Sequence, residues 1–499
     1  MNSPIDKTIA AVAGFGKTGR SLLDFLLKNP ICREKYKKIL LYNDYPITDL
    51  ETMHYYEEKG VEFLIGEDSF AGLEQAGVIL LSPGIDGRSS RFETLRKRGG
   101  EILSEIEFAS HFFNAKVVSV TGTNGKSTTV SLIHHILMEN GVNSLLLGNI
   151  GRPLISEVGK ITGDSVVVLE LSSFQLEDIV DFKSHIALLL NITPDHLDRY
   201  SSLANYFSAK KNIFKNQVEN DFMVLNYDDP LLRESAGGFG PAKKTWFSVG
   251  ADIPERVAPA AYDVTKGYSS QKKSAQENKI LVHGNTDIPE GGYIVGDHIV
   301  LKLAGSEKRI SIEKNPLRGL HNLENLLAAV IAAALCGVEA EGIEKSIAGF
   351  KGLPHRMEPA GRIGTVEFIN DSKATNVDAA LKSVKSIDTA LVLILGGKDK
   401  GGDFTLLGEA IKKRAEKVLL IGAAAPAIAE QLADVKEKFV FVKDFAEAAA
   451  AGYEYLKDNG GVVLLAPACA SFDMFDNFEH RGDVFKKECS RLAEKVGHG

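Results

Sequence analysis

Val118-Ser-Val-Thr-Gly-Thr-Asn-Gly-Lys-Ser-Thr-Thr129 decides how this chain is read. A β-rich run, Lys116 to Val120, enters a glycine-bearing turn, and a helical pattern follows from Thr128. Strand, small-residue loop and helix in that order make a phosphate cradle. Small residues let backbone N–H groups close on phosphate oxygens, and the helix N-terminus adds a positive dipole end. The loop is a short form of the pattern, because the position five before Gly125 is Val120 and Gly122 stands three before it. The reading predicts an ATP site built from Gly122, Thr123, Asn124, Gly125, Lys126, Ser127 and Thr128. Lys126 then reaches the β- and γ-phosphates, and the Ser127 hydroxyl is placed for Mg²⁺.

Outward from that loop, the chain reads as α/β throughout. Upstream, Ile9 to Ala13 is a short apolar strand followed by Gly14-Phe-Gly16-Lys-Thr-Gly19 and a helical pattern through Leu22, Leu23, Phe25, Leu26 and Leu27. Ile39 to Tyr42 and Val78 to Leu81 are further strands, the latter ending at Ser82-Pro83-Gly84. This is the β-α-β opening of a doubly wound domain, ending near Ser104. Downstream of the loop, Val166 to Leu171, Ile186 to Asn191 and Phe222 to Asn226 are buried strands. The first two run into polar tails, where open α/β sheets gather ligands. Gly250 to Glu290 is polar and weakly patterned, as expected of a loop or insertion. Tyr293 to Leu303 reads as a hairpin turning at Gly296-Asp297, and Gly319-Leu-His-Asn322 opens an Ala-rich helix. After Gly352-Leu-Pro354 a third unit begins, with strands at Thr365 to Ile369, Ala390 to Leu395, Lys417 to Ile421 and Val462 to Ala466.

Bulk properties narrow the class. At 499 residues, two to four domains are expected. Hydrophobic content of 44% and charged content of 25% are those of a globular protein. A net charge of −8 argues against bulk binding to nucleic acid or anionic membrane, while leaving room for local basic pockets. Cys32, Cys336, Cys469 and Cys489 have no metal-like spacing and read as reduced thiols in the cytoplasm. Met1 to Lys7 lacks the basic-then-apolar pattern of a signal peptide. Leu326 to Val338 is too short to span a membrane and reads as a buried helix.

Single constellations leave alternatives open. The Gly14-x-Gly16-x-x-Gly19 turn, with Asp44 near the end of the next strand, suits NAD, but a glycine turn at a helix N-terminus suits any diphosphate. Glu170 is placed to ligate Mg²⁺ through oxygen, or is an ordinary strand-end residue. His196 is a candidate base or ligand, although imidazole is not a preferred Mg²⁺ ligand. From spacing alone, Lys210 is a surface lysine on an amphipathic helix. Asn370-Asp-Ser-Lys-Ala-Thr-Asn376 and Gly396-Gly-Lys-Asp-Lys-Gly-Gly-Asp-Phe404 are turns able to bind phosphate or carboxylate.

Together the segments resemble the Mur ligase family. GTNGKST, ELSSFQLE, NITPDHLDRY, HNLEN, GLPHRME, NDSKATN, GGKDKGGDF and ACASFDMFDNFEHRG occur in the family's order over almost the whole chain. The resemblance implies three domains: 1–104, Rossmann-like, for a UDP-linked substrate; 105–352, a phosphate-loop ATPase with a mainly parallel sheet; and 353–499, Rossmann-like, for an amino acid. The last four motifs are most similar to members that join D-glutamate to UDP-N-acetylmuramoyl-L-alanine through an acyl phosphate. ATP and two Mg²⁺ ions are then expected, and a monomer without nucleic-acid or membrane partners. By resemblance Lys126, His196 and Lys210 are catalytic, Lys210 being carbamylated by CO₂. Ser127, Glu170, His196 and Lys210 would hold metal. Asn322, Arg356 and Asp371 would contact ATP. Gly16, Lys17, Thr18, Ser82, Pro83, Gly84, Asn149 and Ser172 would bind the UDP-substrate. Lys373, Thr375, Lys400, Ser471 and Phe478 would surround D-glutamate. One departure is visible: where the family often carries Thr-Arg for uracil, this chain has Asn43-Asp44-Tyr45. Folylpolyglutamate synthetase-like enzymes share the loop and the modified lysine.

Overall fold

The computed structural model describes residues 5–195, 199–250, 288, 290–317 and 319–497. Its described residues fall into two compact units: Met1–Ile192, Ala204–Glu313 and Leu326–Ser346 form the first, and Thr193–Leu203, Lys314–Asn325 and Ile347–Gly499 the second.

The first unit holds two sheets. One is built from β1 (Asp6–Ala13), β2 (Lys38–Asn43), β3 (Val61–Ile65), β4 (Ala76–Leu81) and β5 (Glu101–Ser104), in the order β3-β2-β1-β4-β5 and parallel throughout. The other comprises β6 (Lys116–Thr121), β7 (Ser144–Gly148), β8 (Val166–Glu170), β9 (Ile186–Leu189), β10 (Phe222–Asn226), β11 (Lys243–Ser248), β12 (Gly291–Val295), β13 (His298–Leu303) and β14 (Ser306–Ser311). Its order is β14-β13-β12-β11-β10-β9-β6-β8-β7, parallel up to β12 and antiparallel beyond. Parallel strands covered on both faces need continuous apolar runs. Val-Val-Val-Leu-Glu in β8 and Ala-Gly-Val-Ile-Leu-Leu in β4 are accordingly buried at every position.

The two sheets are joined by the helix Glu105–Ser110, whose first turn is capped by the Ser104 hydroxyl accepting from Glu107 N–H. Glu105 Oε1 accepts from Ile155 N–H at 2.7 Å. Glu107 accepts from the N–H groups of Val180, Asp181 and Phe182 at 2.8–3.0 Å. Glu107, His111 and Asp181 lie within metal-binding reach of one another, but these amides already occupy both Glu107 oxygens. The cluster is a lock between segments.

In the second unit, β15 (Glu358–Ile363), β16 (Val366–Asn370), β17 (Leu391–Gly396), β18 (Ala415–Ile421), β19 (Phe439–Phe441) and β20 (Gly461–Leu465) form a sheet of order β15-β16-β20-β17-β18-β19, parallel except for β15. Alternation along β17 sends Leu391, Leu393 and Leu395 to one core and Val392 and Ile394 to the other.

The expected hairpin is present, with β14 as an added third strand. The Ala-rich helix spans Leu320–Leu335, and Leu326 through Ala333 are buried along it. The four cysteines are free thiols. Among the described residues, no helix is long and apolar enough to cross a membrane. Nearly all of the Gly250 to Glu290 stretch lies outside the described residues.

Candidate active site

The phosphate loop leaves β6 at Thr121 and enters the helix Lys126–Glu139, two residues earlier than the expected start at Thr128. Gly125 sits at φ +89°, a left-handed conformation that L side chains rarely adopt, and no side chain caps the helix. Its first-turn N–H groups therefore face the loop, as an anion site requires. Asn191, at the end of the neighbouring strand, braces the loop: its carbonyl accepts from Thr123 N–H, its Oδ1 accepts from Asn124 N–H, and its Nδ2 donates to Asn124 O. Lys126 Nζ folds onto the carbonyls of Gly122 (2.9 Å) and Thr123 (2.7 Å). Ser127 and Thr128 are buried behind it, and Thr128 Oγ1 has no hydrogen-bond partner.

Sheet register places Glu170 beside this loop, because Val120 of β6 pairs with Glu170 of β8. Glu170 is buried, its Oε1 accepts from Asn149 Nδ2 at 2.8 Å, and its Oε2 has no partner. A buried, unpartnered carboxylate oxygen is costly unless something cationic meets it. This donor set fits Mg²⁺, a hard cation that prefers oxygen. Lys210 corrects the expectation of a surface lysine: on the helix Leu203–Lys211 it is only 1% exposed. Its Nζ donates to Gly122 O at 2.8 Å and to Thr121 Oγ1 at 3.4 Å, and lies 4.7 Å from the Tyr206 ring centroid. Lys126 and Lys210 therefore share the Gly122 carbonyl. His196 lies outside the described residues.

The glycine turn after β1 packs as its spacing demands. A Cβ on Gly19 would fall on the Gly14 carbonyl oxygen, so the third glycine permits helix and strand to touch. Ser82 Oγ donates to Gly14 O at 3.2 Å, joining the Ser82-Pro83-Gly84 tail to the turn. Gly16 precedes the helix Lys17–Lys28, Thr18 lies in its first turn, and Lys17 Nζ donates to Gly151 O at 2.6 Å. The turn and the Asn149 to Gly151 segment are thus brought together. Ser172 caps the helix Ser173–Glu177 in a capping box with Gln175. Asp44 is held by Arg91, at 2.9 and 3.0 Å, and by the Tyr42 hydroxyl. An acid so neutralised is a poor ribose ligand for NAD.

Within the second unit, Arg356 stands between His355 (φ +60°) and Met357 (φ +45°), non-glycine residues in the left-handed region. Such strain concentrates at functional sites. Asp371 accepts from Met357 N–H at 3.2 Å and from the Ser383 hydroxyl. Burial pushes its carboxyl up, against the pull of the Arg356 guanidinium. Asn322 is buried in the first turn of the helix Leu320–Leu335. Lys373 Nζ lies 5.3 Å from the Phe478 ring centroid. Thr375 is half-buried in the same turn as Lys373, and Ser471 is buried. The exposed Lys400 is carried by a loop whose Lys398 backbone makes a two-bond bridge with Ala470, next to Ser471.

Known proteins resemble this chain along most of its length. Residues 120–333 match the Mur ligase middle domain, and residues 355–469 match the Mur ligase glutamate ligase domain. The UDP-N-acetylmuramoylalanine–D-glutamate ligase of Pelotomaculum thermopropionicum is 37% identical over 95% of this chain and 96% of its own. The chain belongs to the Mur ligase family. The ligase of the same name from a Thermoanaerobacter species is 38% identical over 96% of this chain and 98% of its own. Among solved structures, the MurF ligase of Thermotoga maritima in complex with ADP shares the fold of this Mur ligase: TM-score 0.56, 16% identity, 98% of this chain and 96% of that one. So does a pseudomurein peptide ligase from Methanothermus fervidus: TM-score 0.56, 17% identity, 96% and 99% coverage.

Several residues of this Mur ligase went unremarked in sequence. Asn191 and Arg481 lie inside quoted motifs, but nothing in their spacing marks one as a loop brace and the other as a buried guanidinium. Arg91 reaches Asp44 from 47 positions away, and no local pattern links them.

Proposed function

We propose that this chain is an ATP-dependent ligase that joins D-glutamate to UDP-N-acetylmuramoyl-L-alanine, releasing ADP and phosphate, in the synthesis of peptidoglycan precursors. The observation that carries this reading is similarity to ligases of that name along 95–96% of the chain, with residues 355–469 matching the Mur ligase glutamate ligase domain. The same reading assigns 1–104 to the UDP-substrate, 105–352 to ATP and 353–499 to D-glutamate, in a monomer working in the cytoplasm.

A carboxylate is a poor electrophile, so ATP must activate it. The alanyl carboxylate oxygen attacks the γ-phosphorus, ADP leaves, and an acyl phosphate forms. The D-glutamate nitrogen then adds to the acyl carbon, loses a proton, and the tetrahedral intermediate collapses with departure of phosphate. Catalysis rests on positioning and charge neutralisation. Lys126 swings from its loop carbonyls to the γ-phosphoryl oxygens. Ser127 and Glu170 would hold Mg²⁺, which supplies charge neutralisation at the phosphates. His196 and a carbamylated Lys210 would complete a second ion's ligands. Two ammonium groups on the Gly122 carbonyl repel each other. Addition of CO₂ to the Lys210 amine, with loss of a proton, replaces one of them by an oxygen-bearing anion.

Substrate carrying ¹⁸O in the alanyl carboxylate tests the route. One labelled oxygen should appear in the released phosphate, and unlabelled phosphate would exclude the acyl phosphate.

A further inference from the structure

We propose that Ser372 and Arg481 are positioning residues that fix the width of the amino-acid pocket in the second unit. The proposal rests on reading that pocket as the site of the incoming D-glutamate.

Apart from Lys400, which follows β17, the residues assigned to the pocket come from two stretches. Lys373 and Thr375 follow β16, while Ser471 and Phe478 follow β20. The two strands are paired only as far as Asn370 and Leu465. Beyond that point the backbone links between the stretches are Asp371 N–H to Leu465 O, at 2.8 Å, and Ala468 N–H to Ala374 O, at 2.9 Å. The remaining separation is set by side chains.

Arg481 is one of the largest fully buried side chains of the protein. Its Nε donates to Ser372 Oγ at 2.9 Å and its Nη2 to Ser372 O at 2.7 Å. Its Nη1 donates to the carbonyls of Cys469 at 3.0 Å and Ala470 at 3.2 Å, immediately before Ser471. Ser372 Oγ passes the link on, donating to Phe478 O at 2.8 Å. One guanidinium and one hydroxyl therefore tie the residue before Lys373 to the residue before Ser471 and to Phe478. A planar fork with donors in fixed directions can do this, whereas a lysine ammonium cannot hold the same set. All four guanidinium bonds go to neutral oxygens, and the buried charge, which Asp473 offsets in part, also favours an amino acid with a second carboxylate nearby.

The test compares wild type with Ser372→Ala, Ser372→Thr and Arg481→Lys, varying D-glutamate, ATP and UDP-N-acetylmuramoyl-L-alanine in turn. Ser372→Ala and Arg481→Lys should each raise KM for D-glutamate about tenfold, the scale of a lost buried hydrogen bond to a charged group. The other two KM values should stay within about twofold, with kcat less affected than KM for D-glutamate. Ser372→Thr, which keeps the hydroxyl, should hold KM for D-glutamate close to the wild-type value. An unchanged KM for D-glutamate, or an equal rise in all three, overturns the proposal. Either variant alone decides it, so failure of one to fold leaves the other. If wild type itself ignores D-glutamate and uses another amino acid, the substrate reading fails. The same comparison with that amino acid then judges the positioning role separately.

Discussion

Lys126 and Lys210 meet on one carbonyl oxygen, and their roles should separate on mutation. On the proposed mechanism, Lys126→Ala removes a donor that reaches the transferred phosphoryl group. Phosphate release should fall about a thousandfold, the scale for one donor aimed at developing charge. Lys210→Ala should abolish turnover while ATP still binds, as measured by calorimetry. Short carboxylic acids added to that variant should recover part of the activity, since they supply the oxygens of a carbamate. Near-normal turnover without them would contradict the assignment. Lys126 was legible in sequence because a phosphate loop is a local pattern. The burial of Lys210 was not, because it follows from where the helix docks, and the adjacent Lys211 is exposed. Asp44 was legible as an acid at a strand end. Its neutralisation by Arg91 is a tertiary fact.

At the scale of elements, the glycine turn after β1 and the lock helix Glu105–Ser110 each make a prediction. Gly19→Ala drives a methyl group into the Gly14 carbonyl. It should destabilise the protein by about 2 kcal/mol or more, as overpacking does, and raise KM for the UDP-substrate. Thermal melting and steady-state kinetics check both. Glu105 is fully buried, and desolvation raises its carboxyl from 4.5 to about 7, against the lowering effect of the Ile155 and Leu154 amides. The native state therefore binds this proton more tightly than the unfolded chain. The resulting stabilisation is full below about pH 4.5 and is lost as pH rises through about 7. Glu105→Gln keeps an acceptor without the charge. It should flatten this part of the melting profile and stabilise the protein at pH 8 by on the order of 2–3 kcal/mol. An unchanged slope between pH 5 and pH 8 would contradict it.

Most of the buried parallel strands were readable because they are continuous apolar runs, but β11, Lys-Lys-Thr-Trp-Phe-Ser, opens on two lysines and was not. Edge strands were not: β14, Ser-Glu-Lys-Arg-Ile-Ser, is mostly exposed, and β15 carries Pro359 and Gly361. Neither shows a two-residue apolar period.

For the whole molecule, the order of motifs along the chain carried more than any one of them. Each motif alone admits a bland reading as a turn, a cap or a solvated loop. Their succession admits one family, and similarity along the whole length supports one substrate. On this reading the ligase adds D-glutamate. Mg²⁺-dependent phosphate release from ATP with UDP-N-acetylmuramoyl-L-alanine, across a panel of D- and L-amino acids, tests it most directly. Release is expected with D-glutamate and not with the others. Release with a different amino acid instead, or with none, would contradict it.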